Sequence, residues 1–491
     1  MTEYNGGSAK ADHLCVLVHG LWGHPEHLES VAAALRNAYS EDELHILVAE
    51  SNSGYYTYDG IDTGGERVCV EIEKTLKAAK ANGANITKLS VIGYSLGGLV
   101  ARYAIGLLHA KGVLDSLECR NFTAFASPFV GARTPASGTL NALFNAIGAR
   151  TISVSGRQLF GIDSFRDTGR PLLSVLADPE SIFMASLRRF TRRTLYANIV
   201  NDRSAVYYTT AIAKTDPFAE VVNEGGDVKD LPIKYVPGYS DNILDPDEPV
   251  ALDRLAAAMQ RVRQRKASGE AARERKLRQQ GTMTPGKALL RFLAKPWDAD
   301  RRFALFEAAP MVALALLLPL GLTLFLASSV YQGVQSRQRL KLHNGGLAGI
   351  DVKNYRVPLW MKGLQDTVED TLDDVAVSRE PDFVSPNDSD SDIESVAQAG
   401  KQQQPPLLKA DAATRTAAGA ADDALDGSLL ALSPDQFAIV DNLNSLGWRK
   451  YRVWIRNVRH SHAAIVVRHE TPRFEEGKTV LRHFVTEEFL I

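Results

Sequence analysis

Short apolar runs alternate with amphipathic helical stretches along the first 200 residues. The apolar runs predict strands over residues 13–20, 44–50, 89–92, 122–126 and 194–200. Between the first three of these strands, apolar residues recur at helical spacing over residues 27–39 and 65–82. Such alternation is typical of a doubly wound, mostly parallel sheet with helices on both faces. The sequence therefore predicts an α/β fold.

The sheet pattern is interrupted after Asp202 and resumes at a strand over residues 450–457. Composition divides the chain further. An acidic, Gln- and Pro-rich tract has little apolar surface to bury and is predicted to be disordered. The predicted regions are a disordered N-terminus (1–12), the first part of the core (13–250), a basic helical region (251–300), a hydrophobic membrane- or lipid-droplet-anchoring segment (301–345), a mostly disordered insert (346–430, acidic and Gln/Pro-rich at 385–427) and the last part of the core (431–491). For residues 130–192 the sequence is compatible with a cap or lid, as in lipase-like folds, and with two ordinary core helices.

Charge and cysteine content narrow the class of protein. The 56 basic and 58 acidic residues nearly cancel, so no global field favours nucleic acid as a partner. The three cysteines have no metal-ligand spacing and are predicted to be reduced core residues. The polar first residues have no apolar signal core. Together these features predict an intracellular protein.

The most specific motif is Gly93-Tyr94-Ser95-Leu96-Gly97, between an apolar run and a helical pattern. In a nucleophile elbow, a serine occupies a sharp strand-to-helix turn, where side chains at the flanking glycines would clash. A serine hydroxyl becomes a good nucleophile only when a neighbouring base takes its proton. Ser95 is therefore the candidate nucleophile, with Gly93 and Gly97 permitting the turn.

An acid and a histidine follow Ser95 in the chain order that α/β-hydrolases use. Asp202 comes after the strand at 194–200, and both His460 and His462 come after the strand at 450–457. An aspartate after a strand is by itself more often a turn residue. Spacing alone does not separate the two histidines.

The oxyanion that forms during acyl transfer needs backbone N–H donors. One is expected from Leu96, just after the nucleophile, and one from Leu21 in the loop after the first strand. In the same loop, Gly20 would allow close approach of a substrate, and His19 is expected to hydrogen-bond the loop.

Several further motifs occur along the chain: His19-Gly20-Leu21-Trp22-Gly23, Thr57-Tyr58-Asp59-Gly60-Ile61 followed by Gly65-Glu66-Arg67, Gly93 to Gly98, Ser127-Pro128, Asn201-Asp202-Arg203 and His462 to Arg468. Together they resemble the putative serine esterase family of α/β-hydrolases, which includes fungal lipid-droplet phospholipases. The resemblance implies a lipid acyl-ester hydrolase whose triad is Ser95, Asp202 and His462, with no metal or organic cofactor. It favours His462 over His460. Phe129 departs from the family, where many relatives have histidine.

A stretch from Ala308 to Val330 carries no charge and is long enough to span a bilayer as a helix. One crossing would place His462 on the far side of the membrane from Ser95. Pro319 interrupts a helix, and basic residues flank both ends of the stretch, which favours insertion from one face. A buried core helix and a true span are the alternatives.

These features predict a serine hydrolase that cleaves acyl esters of glycerolipids at the cytosolic face of membranes or on lipid droplets. The basic stretch from Arg254 to Arg278 would attract anionic lipid. Alternatives are a thioesterase or neutral-lipid lipase of the same fold, and a catalytically silent lipid-surface tether. Headgroup and acyl-position preference, protein partners and oligomeric state are not encoded in any motif.

Overall fold

The computed structural model describes residues 4–132, 153–223, 227–239, 241–247, 250, 260–261, 264, 331–361, 429–458 and 460–491. Its strands are β1 (His13–Val18), β2 (Leu44–Val48), β3 (Lys88–Tyr94), β4 (Glu118–Phe125), β5 (Arg192–Asn198) and β6 (Arg449–Val453). They form one sheet in the order β2-β1-β3-β4-β5-β6, and every neighbouring pair is parallel. The carboxyl ends of all these strands therefore meet at one edge of the sheet.

Both faces of the sheet are buried. In β1, Leu14 and Val16 belong to one hydrophobic core, whereas Cys15 and Leu17 belong to a second core on the opposite face. Successive side chains of a strand point to opposite faces, so a strand covered on both sides needs a nearly continuous apolar run. This requirement explains the unbroken hydrophobic sequence of β1.

Helices cover the two faces. They are α1 (Glu29–Ala38), α2 (Ile61–Ala81), α3 (Leu96–Ala110), α4 (Val154–Leu159), α5 (Leu172–Leu176), α6 (Ile182–Arg189), α7 (Tyr207–Ala211), α8 (Pro217–Asn223), α9 (331–344), α10 (Pro434–Asn444), α11 (Ser461–Ala464) and α12 (Glu475–His483). Residues of α1 and α12 fill the core on one face, and residues of α2, α3 and α6 fill the core on the other. The doubly wound arrangement predicted from the alternating pattern is confirmed.

The ends of the predicted strands differ from the observed ones. β4 begins at Glu118, four residues before the predicted start, because Glu118 and Cys119 pair with Lys88 and Leu89 of β3. The polar residues at this end hid the start of the strand from the apolar pattern. β5 ends at Asn198 rather than at residue 200, and the chain then turns through Asn201, whose φ is 63°. Apolar content marks the buried part of a strand and not its hydrogen-bonded length.

The region predicted as a cap or as core helices is described only from residue 153 onward. Its helices α5 and α6 are buried against the core, with Leu172, Val175 and Phe183 fully enclosed. Residues 133–152 lie outside the described part of the chain, as does the apolar stretch 308–330. Among the residues that are described, no helix has the length and apolar character needed to cross a membrane.

The segment 331–361 corrects the predicted domain boundaries. The sequence predicts an anchoring segment to residue 345 and a mostly disordered insert from residue 346, yet residues 331–361 pack on the core of the sheet. Ser336 Oγ donates to Asp59 Oδ1 at 2.6 Å, and Arg339 Nη2 donates to the same oxygen at 2.8 Å. His343 Nε2 lies 2.6 Å from Glu66 Oε2 in a buried pair. Polar side chains dock this helix, which is why hydropathy did not reveal it.

Asp59 is fully buried and accepts from two guanidinium groups, those of Arg67 and Arg339. Removing one partner of a buried charged group leaves part of its desolvation cost uncompensated. We therefore expect Arg339→Leu to lower the free energy of unfolding by about 2–3 kcal/mol, measured by urea denaturation. The matched control is Arg337→Leu on the exposed side of the same helix, for which about 0.5 kcal/mol or less is expected. Equal effects of the two substitutions would show that the contact with Asp59 does not hold α9 in place.

Candidate active site

The turn between β3 and α3 carries Ser95 in an unusual backbone conformation. Its φ is 55° and its ψ is −128°, a region that residues with a side chain rarely adopt. The turn is fixed on both sides, because Ser95 N–H donates to Phe125 O at 2.9 Å and Gly98 N–H donates to Ser95 O at 3.1 Å. The hydroxyl is thereby held at the carboxyl edge of the sheet.

Close backbone approach explains the glycines around this turn. A Cβ on Gly97 would overlap the carbonyl oxygen of Val18 in β1, and one on Gly93 would overlap the backbone of Gly98. Gly20 lies directly against the nucleophile, since a Cβ there would be 2.7 Å from Ser95 Cβ. The loop after β1 therefore reaches the serine only because it carries glycine.

The three predicted site residues are brought together at this edge. His462 Nε2 lies 2.9 Å from Ser95 Oγ, and His462 Nδ1 lies 2.8 Å from Asp202 Oδ2. With its proton on Nδ1, the imidazole donates to the carboxylate and accepts from the serine hydroxyl. This geometry suits transfer of a proton from Ser95 to His462.

Other contacts fix the carboxylate of Asp202. Its Oδ1 accepts from the backbone N–H groups of Ser204 and Ala205 at 3.0 and 2.8 Å. Its Oδ2 accepts from Asn198 Nδ2 at 3.0 Å in addition to His462. Both oxygens are thus oriented by donors, and one is directed at the imidazole.

The loop that bears His462 is anchored to the end of β3 and to the segment that follows β5. Tyr94 OH donates to the carbonyl of His462 at 2.9 Å, and Ser461 Oγ donates to Val200 O at 2.9 Å. Burial raises the pKa of the Tyr94 phenol, so the donor proton is retained. The Tyr94 ring also lies against the imidazole, with centroids 5.2 Å apart.

The structure places the remaining predicted residues as follows. His460 is exposed, so His462 and not its neighbour lies beside Ser95. His19 is buried, with Nδ1 3.1 Å from Gly20 O, and burial lowers its pKa to about 4. Leu96 is the first residue of α3, where N–H groups have no intrahelical acceptor, and Leu21 follows Gly20 beside the serine. Their function as oxyanion donors stays a prediction.

Two residues of the site were missed by the reasoning from sequence. Asn198 contacts Asp202, and Tyr94 holds the His462 loop. Tyr94 lies inside the Gly-x-Ser-x-Gly motif, where its variable position carries no signal. Asn198 lies four residues before Asp202, at the last position of β5. Its contact with Asp202 could be predicted only if the end of β5 were already known. In the described part of the chain, no cluster of three potential metal ligands occurs.

Residues 8–215 match the model of a protein family described as Putative serine esterase (DUF676). The match covers less than half of the 491 residues. The sheet order, the turn at Ser95 and the chain order of the site residues are those of an α/β-hydrolase.

Curated relatives from yeasts are similar over the same part of the chain. Putative lipase ROG1 of Saccharomyces cerevisiae is 30% identical over 216 residues, covering 42% of this chain and 29% of its own length. Putative lipase C4A8.10 of Schizosaccharomyces pombe is 25% identical over 260 residues, covering 50% of this chain and 32% of its own length. The chain thus covers less than a third of the length of each of these relatives.

Two solved structures show only distant likeness to this chain. Phospholipase PlaB from Legionella pneumophila, in complex with thio-NAD, is 12% identical, with a TM-score of 0.26, and the match covers 41% of this chain and 42% of that one. A lipase-esterase related protein from Clostridium acetobutylicum is 13% identical, with a TM-score of 0.23, and the match covers 42% and 82%.

The fit of Gly97 against β1 is open to a direct test. Because a methyl group there would meet the rigid backbone of β1, we expect Gly97→Ala to lower the free energy of unfolding by about 3 kcal/mol. Thermal and urea unfolding measure the change. As a control, Gly333→Ala in α9 meets open space and should change stability by about 1 kcal/mol or less. A fully stable Gly97→Ala chain would contradict the close packing of the turn.

Proposed function

We propose that this chain is a serine hydrolase that cleaves acyl esters of glycerolipids, with Ser95, His462 and Asp202 as its triad. The observation that carries the proposal is the pair of hydrogen bonds made by one imidazole, to Ser95 at 2.9 Å and to Asp202 at 2.8 Å. The strained backbone of Ser95 supports it, because such strain is concentrated at functional sites.

In the proposed acylation step, Ser95 Oγ attacks the ester carbonyl carbon while its proton passes to His462 Nε2. The carbonyl oxygen becomes an oxyanion, which the N–H groups of Leu21 and Leu96 stabilise. Asp202 stabilises the resulting imidazolium through Nδ1. The tetrahedral intermediate then collapses, the bond to the alcohol breaks, and His462 gives its proton to the leaving alkoxide.

Deacylation repeats these steps with water. His462 takes a proton from a water molecule whose oxygen attacks the acyl carbon, and the same N–H groups stabilise the second oxyanion. Collapse releases the fatty acid and returns the proton to Ser95. Bonds, protons and charges balance without a metal or an organic cofactor.

A lipid substrate is the favoured class for two reasons. The relatives are named as lipases, and a charge-free stretch from Ala308 to Val330 suits association with a lipid surface. We therefore place the activity at membrane or lipid-droplet surfaces facing the cytosol, most simply on phospholipids.

Hydrolysis by single-residue variants tests the triad. We expect Ser95→Ala, His462→Ala and Asp202→Asn each to lower kcat by about 10³-fold or more, since the three residues act as a unit. The assay uses the full chain with phospholipid, triacylglycerol and acyl-thioester substrates in mixed micelles. His460→Ala, two residues from the proposed base and exposed, is the matched control and should keep nearly full activity.

The substrate panel separates this proposal from its alternatives. Preference for thioester or triacylglycerol would correct the substrate class but keep the triad. Loss of activity in His460→Ala rather than in His462→Ala would contradict the assignment of the base. A chain that hydrolyses none of the substrates would favour the silent tether.

A further expectation concerns Asn198 as a positioning residue. Asn198→Leu removes one of the donors to Asp202 Oδ2 while keeping a similar side-chain volume. A hydrogen bond to a charged group contributes about 1.5–3 kcal/mol, so we expect kcat to fall roughly tenfold or more with little change in KM. Unfolding by urea serves as the control for stability. An unchanged kcat would show that the backbone donors of Ser204 and Ala205 orient the carboxylate alone.

A further inference from the structure

Large apolar side chains are exposed near the candidate active site. We define the edge patch as Trp22, Tyr55, Tyr56, Tyr331 and Val334, each between 45% and 60% exposed. Trp22 is two residues from Gly20, which lies against Ser95. Its indole N–H donates to Tyr58 OH at 2.7 Å, and its backbone N–H donates to Thr57 Oγ1 at 3.1 Å. The loop after β1 and the turn at residues 54–58 therefore form one surface.

The direction of α9 brings its first residues to the same edge. Ser336 and Arg339 contact Asp59, just before α2, and the later residue His343 contacts Glu66 within α2. Later residues of α9 thus contact later residues of the α2 segment, so the two helices run in the same direction. Because α2 connects two parallel strands, it begins at their carboxyl edge and runs away from it. α9 runs the same way, so Tyr331 lies at the edge that carries Ser95.

Arg339 joins the two parts of the edge patch. Its Nη2 donates to Tyr55 O at 3.0 Å, and its guanidinium lies over the Tyr56 ring, 5.0 Å from the centroid. Tyr331 is eight residues earlier in α9, about 12 Å along the helix axis. The first described turn of α9 therefore extends beyond the turn that contains Tyr55 and Tyr56.

The chain that enters this edge has the composition of a lipid-associated segment. Residues 308–330 carry no charge and immediately precede Tyr331, while Arg337 and Lys341 are exposed further along α9. Trp and Tyr are enriched at the interface between membrane and water, and basic residues are attracted to anionic headgroups. Aromatic residues and the end of a charge-free stretch thus coincide at one edge, and the basic groups of α9 lie behind them.

We propose that the edge patch docks on a phospholipid surface, with the carboxyl edge of the sheet facing the lipid and α9 directed away from it. Docking in this orientation would bring the mouth of the active site to the headgroups, where an ester can enter without crossing bulk water. The inference rests on the proposed function for its biological meaning, but the docking itself does not require catalysis. A lipid surface fits better than a protein partner, because a single protein interface gives no reason for the uncharged stretch beside it.

Site-directed fluorescence tests the orientation. The cysteines Cys15, Cys69 and Cys119 are all buried, so one introduced cysteine can be labelled selectively in the folded chain. An environment-sensitive dye is attached to Val334→Cys, or to Leu342→Cys as the matched control. Leu342 is similarly exposed, at 49%, and lies on the same helix about 12 Å farther from the edge. Both chains carry Ser95→Ala, so that no hydrolysis occurs.

Labelled chains are mixed with vesicles of phosphatidylcholine and phosphatidylserine that contain a nitroxide-labelled lipid. We expect the dye at residue 334 to shift to shorter wavelength and to be quenched roughly threefold more than the dye at residue 342, because interfacial groups enter only about 5–10 Å into the bilayer. Equal quenching, or stronger quenching at residue 342, would overturn the proposed orientation.

A second measurement separates this proposal from the proposed function. Val334→Asp, with Leu342→Asp as control, is tested on a water-soluble short-chain ester and on the same vesicles without the quencher. Loss of vesicle hydrolysis in Val334→Asp alone, with soluble-ester hydrolysis retained by both variants, supports docking through the edge patch. Failure of the parent chain to hydrolyse either substrate would contradict the proposed hydrolase, and the fluorescence result would still decide the docking. Absence of vesicle binding, with the dye at residue 334 responding instead to a second copy of the chain, would overturn the lipid proposal.

Discussion

The organisation of this protein depends on a hydrogen bond between residues that are 367 positions apart, Ser95 and His462. The serine belongs to the strand-turn-helix unit of β3 and α3, and the histidine follows β6, which pairs with β5 only after the long insert. The chain on both sides of the insert must therefore fold into one sheet before the candidate site exists. Any account of the insert has to leave that sheet intact.

This requirement limits how the apolar stretch 308–330 can meet a membrane. The described part of helix α9 begins at residue 331 and is held against α2 and the turn before it by the buried contacts of Glu66 and Asp59. A single crossing would separate α9 from the core that contains Ser95, and burying Asp59 without its partner on α9 would be costly. If the stretch meets a bilayer as proposed, residue 331 at its carboxyl end stays on the same side as Ser95, because α9 packs on the core that carries the serine.

Much of the fold could be predicted from sequence because it rests on local patterns. Continuous apolar runs mark strands covered on both faces, and the glycines at positions 93 and 97 report a backbone approach that tolerates no side chain. The docking of α9 could not be predicted in this way. Ser336, Arg339 and His343 look like the solvated face of a charged helix, and their partners lie about 280 residues earlier in the chain. Long-range polar contacts leave no periodic signal. Asn198 was overlooked for a different reason: it lies only four residues before Asp202, but the contact depends on where β5 ends.

The central claim is that Ser95 is a nucleophile activated by His462. Intact-mass spectrometry after incubation with a fluorophosphonate, which reacts with activated serines, tests it most directly. The account predicts one adduct per chain, mapped to the peptide that contains Ser95, and little adduct when His462 is replaced by alanine. No adduct on the folded parent chain, or an adduct on another serine, would contradict it.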